Sequence, residues 1–164
     1  MLVQIREVQK DVYAKVEELQ KIAVGVATFT DKRRLFQALQ LIAAIRDPLV
    51  VLFRVVEVPQ RTNPLDPSLW KDDITKAEDF LGKEEAWLKS EGYRVESKVV
   101  TARDTAEGII DEANNGEYAV VLMMKRRIRK GWGKIFHRST SEEVIRYANP
   151  LVLTFLADQG PGER

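Results

Sequence analysis

The chain has no cysteine and one histidine, His137, among its 164 residues. The first absence excludes disulfides, thiolate nucleophiles and Cys-ligated metal clusters. The second leaves no set of imidazoles to hold a metal ion. Long hydrophobic runs are missing as well. Stretches such as Leu41–Ile45 and Leu49–Phe53 fall far short of the roughly 20 apolar residues a membrane-crossing helix requires. The opening MLVQIREVQKD carries no apolar signal core, so the chain reads as cytoplasmic. What remains is 45% apolar and 31% charged, the balance of one globular domain with a core of its own.

Acid is absent from one place in particular. Between Lys125 and Arg138 stand seven Lys or Arg residues and no Asp or Glu, which leaves 19 of the 26 basic residues against all 25 acidic ones elsewhere. A net charge of +1 therefore hides a basic segment on an acidic body. Such segregation points to an anionic partner for the segment: a phosphate, lipid headgroups or the acidic face of a protein. The alternative is a solvated basic loop.

Apolar spacing sets out the elements. Ile5, Val8, Val12, Val16 and Leu19 recur at three and four residues and form the stripe of an amphipathic helix over 3–20. An alternation of short apolar strands and helices follows. KIAVGVA (21–27) is a buried strand, then a helix capped by Thr30 or Asp31 runs to about Ile45 with Leu35, Leu39 and Ile42 inward. LVVLFRVVEV (49–58) is β-branched and reads as a strand. Pro59, Pro64 and Pro67 mark a loop, and Asp66 or Ser68 can cap a long helix ending near Ser90, before Gly92. Tyr93–Val100 is the third strand. Asp104 caps a helix to Ala113, closed by Asn114, Asn115 and Gly116, and Tyr118–Met124 is the fourth strand. Ser139 or Ser141 caps a short helix to Ala148, and Pro150–Leu156 is the last strand. The pattern predicts an α/β fold, a parallel sheet with helices on both faces and an extra N-terminal helix. Residues 1–20 form a connector, 21–157 the domain and 158–164 a tail.

Open parallel sheets bind ligands beyond the C-terminal ends of their strands, where the strand order switches. Two such ends stand out: Gly25, Val26 and Ala27 after the first strand, and Met124 onward after the fourth. The second leads through the basic segment to Ser139-Thr140-Ser141 at a helix start. That start offers free N–H groups and a partial positive charge to an anion; in the simpler alternative Ser139 only caps its helix.

The pieces KIAVGVA, VVLFRVVEVP, EGYRVESKVV, TARDTAEGIIDEA, AVVLMMK and STSEEVIRYANPLVLTF, in this order, resemble the universal stress protein domain from about residue 21 to 157. VVEVP with its Pro-rich loop, and RDTAEGI, are most similar to the branch fused to the cytoplasmic ends of amino-acid permeases and cation antiporters. The resemblance implies a sheet in the order 3-2-1-4-5 and a homodimer through the last strand, here Leu151, Val152, Leu153, Thr154 and Phe155. It also implies one of two groups. The ATP-binding group has Asp at the end of the first strand, where this chain has Ala27. It has glycines where this chain has Lys125, Ile128 and Arg138. Those glycines let backbone N–H groups close on phosphates and permit positive φ, a conformation that β-branched Ile128 strongly disfavours. Ser139 and Thr140 are the parts of the pattern that remain.

The leading expectation is therefore a non-catalytic regulatory or interaction domain without bound ATP or other cofactor. It is joined to a transporter through residues 1–20 at the inner face of the membrane, or else carries them as an extension packed on its own domain or across a dimer. The second reading is a sensor of an adenine nucleotide or cyclic dinucleotide. In it Lys125, Arg127, Arg129 and Lys134 hold phosphates, Val26 and Val55 flank the base, and Gly25, Ala27, Met124, Ser139 and Thr140 complete the site. A third is docking of the basic segment on anionic lipid, with Trp132 and Phe136 at headgroup level. Nucleic acid fits poorly, because the rest of the surface is acidic. No catalytic residue is expected: His137 has no Asp or Ser partner readable from sequence. The pairs Asp72-Asp73, Glu84-Glu85 and Glu142-Glu143 read as solvated helix surface. Arg54, inside a strand, is expected to reach the strand's end and pair with Glu57.

Overall fold

The computed structural model describes residues 21–27, 30–43, 48–58, 70–126 and 139–157. The expected helix over 3–20, the Pro-rich loop, most of the basic segment and the tail lie outside them. In order come β1 (Lys21–Gly25), α1 (Lys32–Ala43), β2 (Leu49–Glu57), α2 (Lys71–Ser90), β3 (Arg94–Ala102), α3 (Thr105–Asn115), β4 (Val120–Arg126), α4 (Thr140–Tyr147) and β5 (Leu151–Ala157). The strands form one parallel sheet in the order β3-β2-β1-β4-β5. Parallel neighbours need crossover connections, and the helices supply them.

Two apolar layers hold the sheet between its helices. On one face Ile22, Val24, Leu52 and Leu122 pack against Leu35 and Leu39 of α1 and Leu81 and Leu88 of α2. On the other, Ala23, Val51, Phe53 and Val121 pack against Ile109 and Ala113 of α3 and Val144 of α4. The central strands are apolar in both directions because both their faces are covered. The edges differ: β3 alternates exposed and covered residues, and β5 leaves Leu151, Leu153 and Leu156 exposed.

Caps fix the helix ends. Asp31 Oδ1 accepts the Arg34 N–H at 3.0 Å, so Asp31 caps α1. Trp70, not Asp66 or Ser68, precedes α2, and no side chain caps that helix; the indole is buried, so burial fixes the entry. At the other end Gly92 takes φ +91°. Its N–H donates to Lys89 O and that of Tyr93 to Leu88 O, the paired bonds of a Schellman turn. β4 begins at Val120, where pairing with Ile22 of β1 starts, two residues later than expected; the Tyr118 phenol before it is buried and donates to Glu112. Burial and that hydrogen bond push the Tyr118 pKa far upward.

Candidate functional site

β1 and β4 are sequence-distant neighbours, and their chains leave the sheet toward opposite faces. A parallel sheet opens into a crevice at such a point. Phe53, Gly25, Met123 and Thr154 share one register level across β2, β1, β4 and β5. Just beyond that level lies a cleft of about 490 Å³. Gly25, Val26, Ala27, Val55, Met124, Lys125, Ser139 and Thr140 all line it. Of the residues expected to bind a nucleotide, Arg127, Arg129 and Lys134 lie outside the described part, as do Trp132 and Phe136 of the lipid-docking reading.

The floor and walls are apolar: Val26, Phe53, Val55, Ile109, Met123 and Met124. Met124 is held in place by its thioether, which accepts the Asp31 N–H at 3.4 Å. α3 comes close to the floor because Gly108 lacks a side chain. A Cβ there would sit 2.8 Å from both Ala102 Cβ and Val55 Cγ1. The approach places Thr105 on the cleft rim.

Two helix N-termini face the cleft, and their N–H groups fare differently. At α3, Asp104 Oδ1 accepts from Ala106 N at 2.8 Å and Glu107 N at 3.1 Å. Glu57 Oε1 accepts from both Thr105 N (3.1 Å) and Thr105 Oγ1 (2.6 Å). Two carboxylates thus occupy that end. At α4, Ser139 holds the cap position without capping; its hydroxyl pairs with Ser141 Oγ at 2.7 Å instead. The positive end of α4 therefore faces the cleft with hydroxyls; Glu142 and Glu143 stand in its first turn but do not line the cleft, and Lys125 does.

Two sequence expectations need correction. Arg54 does not pair with Glu57. Alternation along β2 puts Arg54 on the α1/α2 face and Glu57 on the α3/α4 face. There the Arg54 guanidinium lies 5.5 Å from the centre of the Phe80 ring, and it lines the cleft. Nor is Glu84 solvated helix surface. It is 6% exposed, with Lys32 Nζ at 3.6 Å, and burial raises its pKa despite that lysine. Its neighbour Glu85 bonds Lys89 and Ser97, which lower its pKa. Helix spacing held the signal: Ala77, Leu81, Glu84 and Leu88 form one stripe at spacings of four, three and four, which puts Glu84 on the inward face and Glu85 beside it. Arg54, Thr105 and Ile109 are cleft residues that sequence reasoning missed. A cation inside a β-branched strand was the available signal for the first.

The universal stress protein family model matches residues 18–154. The chain belongs to the universal stress protein family. Solved structures of the same fold agree. A universal stress protein from Archaeoglobus fulgidus is 22% identical, with 82% of this chain and 92% of that one covered at a TM-score of 0.61. The Archaeoglobus fulgidus protein in complex with dAMP gives 20% identity, coverage of 82% and 96%, and 0.54. A family member from Arabidopsis thaliana with AMP bound gives 17%, coverage of 85% and 92%, and 0.54. No curated protein sequence matches the chain significantly. The family's sheet order, expected from the resemblance, is the one observed. Among the described residues, no helix is long and apolar enough to cross a membrane.

Proposed function

We propose that this universal stress protein domain is a non-catalytic regulatory module whose cleft takes a nucleoside monophosphate rather than ATP. The observation that carries this reading is the cleft itself. It joins an apolar floor, suited to a planar base, to the uncapped N-terminus of α4 and Lys125, suited to one phosphate. The dAMP and AMP held by the two solved family members support the ligand class. Lys125, Ile128 and Arg138, at positions the ATP-binding group fills with glycine, support the choice of one phosphate over three.

The partner we assign to β5 is a second copy of the chain. Leu151, Leu153 and Leu156 expose an apolar edge that parallel pairing with β4 leaves open on its outer side. The finer reading makes the module the cytoplasmic domain of an amino-acid or cation transporter, with residues 1–20 as the link. VVEVP and RDTAEGI support it, and a reading frame that encodes membrane spans upstream would test it.

Thermal unfolding of the full chain with 5′-AMP, 5′-GMP, cyclic AMP, a cyclic dinucleotide and ATP tests the ligand. A monophosphate at 100 times its Kd adds about 2.7 kcal/mol of stability, and ATP gives less. No shift with any of the five at millimolar concentration removes the ligand and leaves an interaction module. A larger shift with ATP overturns the preference for one phosphate.

A further inference from the structure

Every charged side chain that lines the cleft among the described residues is a cation: Arg54 and Lys125. Among the described residues no Asp, Glu, Asn or Gln lines it. The two cations stand on β2 and β4, with β1 between them, Arg54 toward the α1/α2 face and Lys125 toward the α3/α4 face, so a ligand that meets both lies across the C-terminal edge of the sheet. Two strand spacings separate them by about 10 Å at the backbone, the scale of a nucleotide from its phosphate to the far edge of its base. If the phosphate lies at α4 beside Lys125, the base edge lies at Arg54.

Arg54 is placed to read that edge. It is half-buried, and no carboxylate pairs with it among the described residues. A guanidinium in that position loses hydration without gaining a counter-charge, which is unfavourable unless a ligand supplies acceptors. Its guanidinium carbon lies over the Phe80 ring, 5.5 Å from the ring centre, a cation–π contact. Val26 and Met124 flank it on the same sheet face. Arginine presents donors only, in a planar fork. A base with two adjacent acceptors accepts that fork in two parallel bonds, as guanine does through O6 and N7. Adenine places an amino donor where guanine has O6. That donor would face the guanidinium, and Ala27 brings no side-chain acceptor to relieve it.

We infer that Arg54 makes this cleft selective for a 6-oxopurine nucleotide, of the guanine type, over an adenine nucleotide. The inference rests on the proposed nucleotide function and names the base. Titration calorimetry of the full chain with 5′-GMP, 5′-IMP and 5′-AMP tests it. IMP shares O6 and N7 with GMP but lacks the 2-amino group. GMP and IMP are expected to bind at least tenfold tighter than AMP. Arg54→Met keeps the apolar stem and should abolish the preference, so that GMP, IMP and AMP bind the variant within about twofold of one another. Equal affinity for all three in the unaltered protein overturns the inference and leaves the nucleotide function standing, with no variant needed. A GMP preference that survives Arg54→Met in a folded protein also overturns it. Failure of all three to bind removes the nucleotide function and this inference together.

Discussion

The two edges of the sheet are finished to different degrees. At β3 the outward residues are Arg94, Glu96 and Lys98, and Lys98 Nζ reaches Glu112 at 2.6 Å. Charges of both signs along an edge discourage another strand from pairing. At β5 the exposed residues are Leu151, Leu153, Thr154 and Leu156, three leucines and no charge. The helix ends follow the same division. α3, which leads out of β3, has its N–H groups occupied by Asp104 and Glu57. α4, which leads into β5, has a serine that does not cap. One half of the molecule satisfies itself, and the other keeps an apolar edge and a positive helix end available to partners. The ligand and the second copy proposed above both fall on the half whose local structure is left incomplete, as the general trade between stability and binding leads one to expect.

Charging the open edge should break this contrast most strongly. Leu151→Lys with Leu153→Lys removes two leucines per protomer from the proposed contact, each contributing about 1.5–3 kcal/mol when fully buried, and sets like charges opposite each other. Sedimentation should show self-association weakened by at least hundredfold, with the thermal midpoint of the monomer little changed. Glu96→Lys on the closed edge should leave the association state as it was. An unaltered protein that is monomeric at high concentration ends the idea that a second copy covers β5.

Within the closed half, the approach of α3 to β2 is the tightest feature. Gly108→Ala puts a methyl 2.8 Å from Ala102 Cβ and Val55 Cγ1, so the helix must move outward. Overpacking of this kind costs about 2 kcal/mol, or roughly 4–8 °C in a chain of this length. Thr105 and Ile109 move with the helix, so the cleft widens and nucleotide affinity falls as well. Unchanged melting would mean that α3 sits farther from the sheet than described.

The two helix ends offer a direct exchange. Asp104→Ala should cost about 1 kcal/mol, roughly 2–4 °C, and leave nucleotide affinity nearly intact. Ser139→Ala should change stability by under about 0.5 kcal/mol, since no cap is lost. Ser139→Asp should do the opposite of Asp104→Ala. It caps α4, gains a few tenths of a kcal/mol, and sets a carboxylate where the phosphate belongs. A Ser139→Asp protein that melts higher and still binds 5′-GMP normally would place the phosphate elsewhere.

How much of this was legible in the sequence follows from the range of each interaction. Apolar periodicity is local, so all five strands and the four described helices could be read off with boundaries a few residues out. Asp104 and Gly92 act within a few residues of themselves and were equally plain. Cleft residues on strand ends, from Gly25 to Thr140, followed from the rule for parallel sheets plus the family resemblance. The contacts of Arg54 and Glu84 did not follow. Spacing gave the side each one faces, by alternation along β2 for Arg54 and by the Ala77-Leu81-Glu84-Leu88 stripe for Glu84; their partners, Phe80 for one and Lys32 of α1 for the other, come from other elements and are not encoded in it. Thr105 was hidden for the same reason: its rim position comes from the close approach that Gly108 permits.

Glu84 is the exception within the closed half, and it yields the smallest effect. Its Oε2 is buried with no hydrogen-bond partner, and Lys32, which also lies 4.9 Å from the Trp87 ring centre, only partly offsets burial. Burial raises its pKa above the ordinary 4.5, so the folded protein holds this proton over a range in which the unfolded chain has released it. Folding binds the proton there, and stability falls as pH rises from about the ordinary carboxylate value through the folded one. Glu84→Gln mimics the protonated form. At pH 7 it should raise stability by about 1 kcal/mol, the order of an unsatisfied buried acceptor relieved, or roughly 2–4 °C. Below the ordinary carboxylate range the two proteins should melt together, because Glu84 is then protonated in both states. A Gln variant that melts lower at pH 7 would mean that the ion pair with Lys32 outweighs burial, and the closed half would then have no weak point of this kind.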